Sequence, residues 1–283
     1  MSIEVRDLTH IYNEGLPHES VAVKDVSFDI ADGEIVGIIG HTGSGKSTLV
    51  QHLNGLIKPT SGSVVVDGKD ITKDKSEMFK VRRKVGLVFQ YPEYQLFEET
   101  LAKDIAFGPK NIGIEEDEIE TRVRDAMAIV GLDYDEFSGK SPFDLSGGQK
   151  RKAAIAGIIA MEPSTLILDE PTAGLDPRAR KQILKAVMDI HEKLGSSIVI
   201  ISHNMTDIAN MCGKIIVMDK GEKMMEGTPK EVFSQRTKLE AVGLSIPPAL
   251  AVIDDLKKKG FGIDRTPFTA KDAADAIYEV IKG

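Results

Sequence analysis

The sequence of 283 residues has a single cysteine and no hydrophobic run long enough to cross a membrane. Cys212 has no second cysteine to pair with, which excludes an internal disulfide and favours a reducing compartment. The longest apolar stretch, residues 153–161, is far shorter than the roughly 18–20 residues that a spanning helix needs. The first nine residues alternate charged and apolar side chains as a strand does, which argues against a signal peptide. We therefore expect any membrane span to come from another chain.

Positive charge is also in short supply. The formal net charge is −8 at pH 7, which disfavours a nucleic-acid-binding surface. Hydrophobic residues make up 41% and charged residues 28% of the chain, enough apolar surface for a globular core. The length fits one large domain, or one medium domain with a small one.

Strand and helix patterns alternate along most of the chain. The segments 35–39, 166–168 and 197–201 are apolar on both faces, which indicates a parallel sheet covered on both sides. Earlier segments at 3–8 and 26–30 alternate with a period of two, and this predicts an added antiparallel layer. Residues 100–131 are predicted to be helical, with a loop near 109–113. The sequence thus predicts an α/β fold with a helical subdomain at about residues 92–160.

The last forty residues differ in pattern from the rest. Pro247 and Pro248 mark a break, and two short amphipathic helices are predicted beyond it. The first places Leu250, Ile253 and Leu256 on one face, and the second aligns four apolar side chains: Ala270, Ala274, Ile277 and Ile281. We divide the chain into a domain at 1–243 and a helical extension at 244–283, whose apolar faces are expected to pack on the main body or on a partner.

A phosphate-binding loop follows the apolar strand at 35–39. Its pattern, G-x-x-x-x-G-K-[ST], is directly followed by a helix, and the residues are Gly40, His41, Thr42, Gly43, Ser44, Gly45, Lys46 and Ser47, with Thr48 next. The glycines let backbone N–H groups turn toward phosphate oxygens, and the helix N-terminus adds free amides. Lys46 is predicted to bind the β- and γ-phosphates and Ser47 to bind Mg²⁺. A glycine-rich turn without a ligand is the alternative, which the strand and helix on either side disfavour.

A second apolar strand ends in two carboxylates, Asp169 and Glu170. Carboxylates at the end of a buried strand are costly unless they face a cation or a site. Asp169 is the candidate Mg²⁺ partner, and Glu170 is the candidate general base for the attacking water. A solvated corner between strand and loop is the alternative.

The pentapeptide from Leu145 to Gln149 distinguishes between families of nucleotide-binding proteins. Its residues Ser146, Gly147, Gly148 and Gln149 begin a predicted helix and form a second phosphate-binding terminus. Here the sequence resembles the ATP-binding-cassette (ABC) ATPases, whose signature motif is LSGGQ, over about its first 230 residues. The resemblance implies ATP and Mg²⁺ as cofactors and a second ABC ATPase whose signature closes over the ATP of this chain.

The resemblance assigns roles to four further residues. Gln90 matches the Q-loop glutamine, which contacts Mg²⁺ and the attacking water. Asp176 matches the D-loop that crosses the dimer interface, and His203 matches the switch histidine at the γ-phosphate. Tyr12 stands where the family places an aromatic ring that stacks on adenine. With Lys46 and Glu170, these residues imply a catalytically active half-site.

The segment after Gln90 narrows the resemblance. The run from Gln90 through Phe97 to Pro109, together with residues 154–163 and 243–248, resembles the ATPases of energy-coupling-factor (ECF) transporters. That family implies an importer of vitamins or transition-metal ions on the cytoplasmic face of a prokaryotic membrane, with a transmembrane coupling subunit and a membrane substrate-binding subunit. It also implies that the helical extension at 244–283 helps to hold the two ATPases together. Tyr94, Leu96 and Phe97 are expected to receive a helix of the coupling subunit, and packing within the local loop alone is the alternative. Another class of ABC transporter ATPase, or a non-transport ABC ATPase, remains open at this point.

Overall fold

The computed structural model describes residues 1–282, which form two β-sheets and a set of covering helices. The strands are β1 Ile3–Tyr12, β2 Ser20–Ile30, β3 Ile35–Ile39, β4 Ser61–Val66, β5 Lys69–Asp70, β6 Val85–Val88, β7 Thr165–Asp169, β8 Ser197–Ile201, β9 Lys214–Asp219 and β10 Glu222–Gly227. The helices are α1 Lys46–Leu53, α2 Lys75–Lys84, α3 Leu101–Asn111, α4 Glu116–Ile129, α5 Tyr134–Phe137, α6 Gly147–Ile159, α7 Pro177–Leu194, α8 Met205–Met211, α9 Pro229–Phe233, α10 Arg236–Ala241, α11 Pro248–Lys258 and α12 Ala270–Lys282. Short 3-10 turns occupy Pro92–Gln95 and Pro142–Asp144.

The larger sheet has six strands in the order β10-β9-β3-β8-β7-β6. All neighbours are parallel except β10, which pairs antiparallel with β9 at one edge. Successive residues of β8 enter opposite hydrophobic clusters, so that Ile198 and Ile200 pack on one side and Val199 and Ile201 on the other. This arrangement explains why the central strands are apolar at every position.

The smaller sheet is antiparallel, with four strands in the order β2-β1-β4-β5. Ile3, Val5 and, after a shift of register, Leu8 of β1 join the cluster that also contains Val199 and Ile201 of the six-stranded sheet. One face is therefore buried and the other faces solvent, which produces the period of two in the sequence. The prediction of a parallel core sheet with an antiparallel β layer and a helical subdomain is confirmed.

The helical subdomain contains α3, α4 and α6, which pack against one another. The predicted loop at 109–113 is wrong in part, because Pro109 is buried inside the last turn of α3 and the helix continues to Asn111. Gly108 explains this placement, since a Cβ there would lie 3.1 Å from the Gly157 carbonyl of α6. Close packing on α6 holds the helix together beyond the point where a proline usually ends it.

The C-terminal residues divide between two cores. Leu244, Ile246 and Leu250 belong to the main hydrophobic cluster, whereas Ile253 packs into a small separate cluster between α11 and α12. The predicted stripe of α12 is wrong apart from Ile277. The side chains that pack inward are Ala273, Ala276, Ile277 and Val280, while Ala270, Ala274 and Ile281 are exposed.

Among residues 1–282, no helix could span a membrane. None of these helices is both long enough and apolar enough to cross a bilayer.

Candidate functional site

Four parallel strands deliver the predicted catalytic residues to one edge of the six-stranded sheet. The phosphate loop follows β3, Gln90 lies shortly after β6, Glu170 follows β7, and His203 follows β8. Because β3, β8, β7 and β6 are neighbours in the sheet, their carboxyl ends lie side by side. This edge is where open α/β sheets bind ligands.

The phosphate loop wraps around the ammonium group of Lys46. Lys46 Nζ donates hydrogen bonds of 2.8 Å to the carbonyl oxygens of Gly40 and His41. Burial lowers the pKa of this ammonium, and the nearby carboxylates of Glu170 and Asp169 act in the opposite direction. A buried cation is thus held at the centre of the loop, facing the two carboxylates of β7.

Two glycines of the loop are required by its backbone. A Cβ on Gly40 would lie 2.4 Å from the carbonyl oxygen of Met218. Gly45, the N-cap of α1, has φ of 95°, and a Cβ there would lie 2.2 Å from the carbonyl oxygen of Ala22. The loop can therefore pack against β2 and β9 only with glycine at these positions.

Ser47 and Asp169 meet beside Lys46. Burial raises the pKa of the Asp169 carboxyl, and a hydrogen bond from the Ser47 side chain offsets part of this rise. Hydroxyl and carboxylate oxygens are the ligands that Mg²⁺ prefers, and this ion usually keeps several waters and substrate phosphate oxygens as well. The donor set of Ser47 and Asp169 fits such an ion.

Gln90, Glu170 and His203 converge on one another. His203 Nε2 lies 2.7 Å from Glu170 Oε1, and Gln90 Nε2 donates to Glu170 Oε2 over 3.5 Å. Each carboxylate oxygen therefore has a different side-chain partner. These contacts orient the Glu170 carboxylate, which is what a general base requires.

The backbone of Glu170 is strained. Its φ is 50°, in the left-handed region, and its N–H donates to the carbonyl oxygen of Ile201. Such a conformation in a residue with a Cβ costs on the order of 1–3 kcal/mol and is typical of active sites. The turn that follows is closed by a hydrogen bond from Ala173 N–H to the Glu170 carbonyl.

Tyr12 lies next to the phosphate loop, where it is 41% exposed. Its hydroxyl is 3.2 Å from Thr48 Oγ1, and its ring packs edge-on against His10 with centroids 4.5 Å apart. The partly exposed ring beside the loop has the position and the surface that stacking on a base requires.

His41 takes part in the loop through its side chain. His41 Nε2 lies 2.9 Å from Asp219 Oδ1, at the end of β9. The contact links an unspecified position of the loop motif to the neighbouring strand β9. Asp219 lies 178 residues away in the chain, so no local spacing predicts this partner.

The signature residues lie in a different place from the phosphate loop. Ser146 is the N-cap of α6, and it exchanges hydrogen bonds with Gln149 in a capping box. The signature and the D-loop line a common cleft of about 640 Å³. The signature contributes Ser146–Gln149, and the D-loop contributes Gly174–Asp176. Residues 40–48 are not among its lining residues in the described part of the chain. The signature thus presents free amides to a ligand other than one held by its own loop.

Asp176 begins the helix that follows the D-loop. Its carboxylate accepts hydrogen bonds from the backbone N–H groups of Arg178 and Ala179 at the start of α7. The cap orients the D-loop toward the signature cleft. Arg180 in the next turn forms a two-fold contact with Asp207 of α8, at 2.6 and 3.0 Å, and connects the D-loop helix to the helix after His203.

One residue near the site was missed from the sequence. Arg151, two positions after the signature, is 1% exposed and binds Glu93 as well as the backbone after Glu170. A signal was available, because Arg151 falls at helical spacing with Ile155 and Ile159, both buried. A charged residue in an apolar stripe needs a buried partner.

Comparison with known proteins gives a family. The model of the ABC transporter family matches residues 23–173, which is more than half of the chain. The energy-coupling factor transporter ATP-binding protein EcfA2 of Clostridioides difficile is 55% identical over 284 residues, covering 100% of this chain and 99% of the relative. EcfA2 of Clostridium tetani is 52% identical over 280 residues, with 99% and 97% covered.

Solved structures agree with the sequence comparison. CbiO1 of Clostridium perfringens, part of the ABC transporter complex CbiONQ, matches with a TM-score of 0.75 and 38% identity, covering 90% of this chain and 98% of that one. The ATP-binding cassette MJ0796, as a dimer in a post-hydrolysis state with ADP and Pi, matches with a TM-score of 0.71 and 29% identity, covering 80% and 98%. The chain belongs to the ABC transporter ATPases, and within them to the family of energy-coupling factor transporter ATP-binding proteins.

Proposed function

We propose that this chain is the ATP-hydrolysing subunit of an ECF-type importer of vitamins or transition-metal ions. It pairs with a second ABC ATPase and works on a transmembrane coupling protein at the cytoplasmic face of the membrane. The observation that carries the ATPase role is the convergence of Gln90, Glu170 and His203 beside the phosphate loop. The transport role is supported by the full-length relatives at 52% and 55% identity, which are energy-coupling factor transporter ATP-binding proteins.

In the proposed reaction, water attacks the γ-phosphorus of ATP and the bond from that phosphorus to the β-phosphate oxygen breaks. Glu170 accepts a proton of the water, and Gln90 and His203 hold its carboxylate in place. Lys46 and the loop amides offset the negative charge that collects on the phosphate oxygens. The Tyr12 ring positions the adenine.

Magnesium completes the half-site in this proposal. Ser47 and Asp169 would hold it, and the amide oxygen of Gln90 is a third candidate ligand because its nitrogen already donates to Glu170. When bound, the ion would neutralise charge on the β- and γ-phosphates. Its remaining ligands would be phosphate oxygens of the nucleotide and water.

The second cassette is required by the position of the signature. Ser146 and Gly148 line a cleft with the D-loop, away from the chain's own phosphate loop. In the proposed dimer each signature closes over the ATP held by the other chain, and closure is favoured because ATP binds the closed form better. Hydrolysis then lets the dimer reopen.

A contact surface for the coupling protein follows Gln90. The side chains of Tyr94, Phe97 and Phe107 are 85%, 56% and 45% exposed, and the rings of Phe97 and Phe107 pack edge-on at 4.9 Å. Leu96, by contrast, is buried in the main core and anchors the segment. We assign the aromatic surface to a helix of the coupling protein, since exposed aromatic rings are typical of helix-binding grooves.

Replacing the proposed base tests the ATPase assignment. Glu170→Gln should lower kcat by about 10²–10⁴-fold, because the amide cannot accept the proton of the attacking water. Binding of ATP should be unchanged, since Glu170 does not contribute to the phosphate loop. Steady-state phosphate release and equilibrium binding of a fluorescent ATP analogue measure the two effects.

Glu162→Gln is the matched control for this substitution. Glu162 also has a positive φ, of 52°, and it pairs with Arg122 away from the catalytic edge. The control should keep wild-type turnover. Turnover near wild type in Glu170→Gln would contradict the assignment of the base.

A further inference from the structure

Arg151 is a charged side chain in the interior of the helical subdomain. It is the largest of the side chains that are almost completely buried in the described residues, at 1% exposed. A buried guanidinium is strongly destabilising unless its donors are paired. Its partners therefore indicate what the position is for.

The guanidinium of Arg151 contacts two other segments at once. On one side it forms a two-fold ion pair with Glu93, with Nε–Oε2 at 3.0 Å and Nη2–Oε1 at 2.7 Å. On the other side Nη1 donates to the carbonyl oxygens of Pro171 and Ala173. Since the fork of the guanidinium is rigid, the three segments have fixed positions relative to one another.

Each of these segments carries a residue of the proposed ATPase site. Glu93 lies three residues after Gln90, Pro171 directly follows Glu170, and Arg151 lies two residues after Gln149 of the signature. The Glu170–Ala173 turn is closed by a backbone hydrogen bond, and Arg151 binds two further carbonyls of the same turn. The side chain thus connects the chain's own catalytic edge to the signature that serves the partner's nucleotide.

We propose that Arg151 and Glu93 form a positioning pair that couples the two ATP half-sites of the dimer. The pair rests on the proposed function, because it acts through Gln90, Glu170 and the signature rather than on ATP itself. It holds the strained turn at Glu170 in register with Gln90 and transmits closure over the partner's nucleotide to that turn.

Backbone strain supplies the reason for such a support. A left-handed conformation at Glu170 persists only where the surroundings determine it. The next residue, Pro171, has no N–H with which to anchor the turn, but its carbonyl and that of Ala173 accept hydrogen bonds from Arg151 Nη1. The Nε and Nη2 atoms of Arg151 bind Glu93.

A conservative substitution of Arg151 distinguishes a positioning role in catalysis from a role in stability alone. Arg151→Lys keeps the charge, but a single ammonium cannot contact Glu93 and both carbonyls with the same geometry. We expect kcat of the full chain, assembled as an ATPase dimer, to fall about tenfold or more, the effect of a modest loss of transition-state alignment. KM for ATP and the Kd of a fluorescent ATP analogue should stay within about twofold, because the phosphate loop is untouched.

Arg122→Lys is the matched control. Arg122 also pairs with carboxylates, Glu118 and Glu162, in the helical subdomain, and it donates to the carbonyl of Ala160, but it contacts neither the Gln90 segment nor the turn after Glu170. It should lower Tm while leaving kcat near wild type. Two results would overturn the proposal. One is an unchanged kcat in Arg151→Lys, and the other is a fall in kcat that is proportional to the fall in Tm by the same factor in both variants.

Glu93→Gln provides a second route if Arg151→Lys does not fold. Its amide keeps the size of the side chain and weakens the ion pair, so kcat should fall without a change in ATP affinity. The kcat of the double variant Arg151→Lys with Glu93→Gln should be no lower than that of the less active single variant, because both substitutions act on one contact. Additive losses would contradict a shared role.

The outcome for Glu170→Gln is independent of this test. If that variant loses turnover while Arg151→Lys keeps it, the positioning pair is wrong and the ATPase assignment stands. If Glu170→Gln keeps turnover, the proposed base is wrong whatever Arg151 does.

Discussion

At the scale of single residues, the chemistry of the catalytic edge follows from sequence order, whereas its geometry does not. Asp169 and Glu170 end an apolar strand, and this pattern predicts carboxylates that face a cation or a site. The positive φ of Glu170 and its contact with His203 arise from packing between β7 and β8, which no local pattern encodes. The spacing of Arg151 with Ile155 and Ile159 indicates that it is buried, but its partners lie 58 and about 20 residues away in the chain, so no local pattern identifies them.

A second buried polar residue, His52, lies in α1, the helix that follows the phosphate loop. His52 of α1 is 1% exposed, and its Nδ1 is 2.7 Å from the Thr48 carbonyl oxygen, so that this nitrogen must carry the proton. Its Nε2 has no hydrogen-bond partner in the described structure, and its ring packs against His10 at 4.8 Å. Burial lowers the pKa of His52 from 6.5 to about 4.

This shift predicts a loss of stability in mild acid. The folded pKa lies below the unfolded value, so the unfolded chain binds more protons between these pKa values and stability falls as the pH drops below 6.5. From pH 7.5 to pH 5 the contribution of His52 should fall by about 2 kcal/mol. Urea unfolding at both pH values measures it, and His52→Leu should reduce the difference by that amount.

His191→Leu is the control for the pH experiment, since His191 also lies in a helix and contacts a backbone carbonyl, that of Ser196. An equal pH dependence in wild type and His52→Leu would contradict the prediction.

At the scale of secondary-structure elements, start signals were the most reliable guide. The start of α6 was predicted from the signature and is set by the Ser146 capping box. Pro109 was misleading, because packing of α3 on α6 overrides its tendency to end a helix. Helix α2 was missed altogether: it is short and highly charged, so it lacks the apolar periodicity on which prediction depends, although Asp74 caps it.

Helix α12 has apolar side chains on two sides. One side packs on α11 through Ala273 and Ala276, and the other exposes Tyr278 and Ile281, at 56% and 73%. Ala270, Ala274 and Ile281 of the predicted stripe lie on the exposed side, whereas Ile277 packs inward. An apolar side that the chain does not cover supports a role of the extension in pairing with the second ATPase.

A single charge on this side should weaken ATPase pairing. Ile281→Asp places a carboxylate in the proposed interface, where burying it without a partner is unfavourable, but leaves the α11–α12 core intact. We expect the Kd of the dimer to rise about tenfold or more, the equivalent of about 1.4 kcal/mol. Sedimentation over a range of concentrations measures it.

Leu16→Asp is the matched control, since Leu16 is similarly exposed, at 62%, but lies in the loop between β1 and β2. Deleting everything after Gly243 is a poorer test, because it removes Leu244, Ile246 and Leu250 from the main core. Unchanged pairing in Ile281→Asp would count against the role of this side.

At the scale of the whole molecule, the two nucleotide-binding motifs face different sites. The phosphate loop lies at the carboxyl edge of the six-stranded sheet, and the signature lies in the cleft with the D-loop. In the proposed dimer, each complete site takes one motif from each chain.

Mixing two inactive variants tests this division. Lys46→Ala removes the cation of the loop, and Ser146→Asp keeps a capping side chain on α6 while placing a negative charge against the γ-phosphate. A mixed dimer contains one site with both lesions and one site with neither. We expect ATPase activity to return on mixing. Each mixed dimer should reach up to about half the rate of a wild-type dimer if the sites turn over independently. Phosphate release is measured for each variant alone and for the mixture.

A mixture as inactive as its components would contradict sites shared between chains, provided that sizing confirms exchange. If the natural partner is a paralogue, one of the two substitutions is made in this chain and the equivalent of the other is made in the paralogue.

The position of the signature cleft also has a consequence for reaction order. If each chain holds only half of each site, as proposed, the rate of hydrolysis at low concentration depends on the product of two cassette concentrations. Turnover per chain then rises with the amount of protein present, and it levels off only above the dimer Kd. In that arrangement the abundance of the partner controls the ATPase as directly as the supply of ATP.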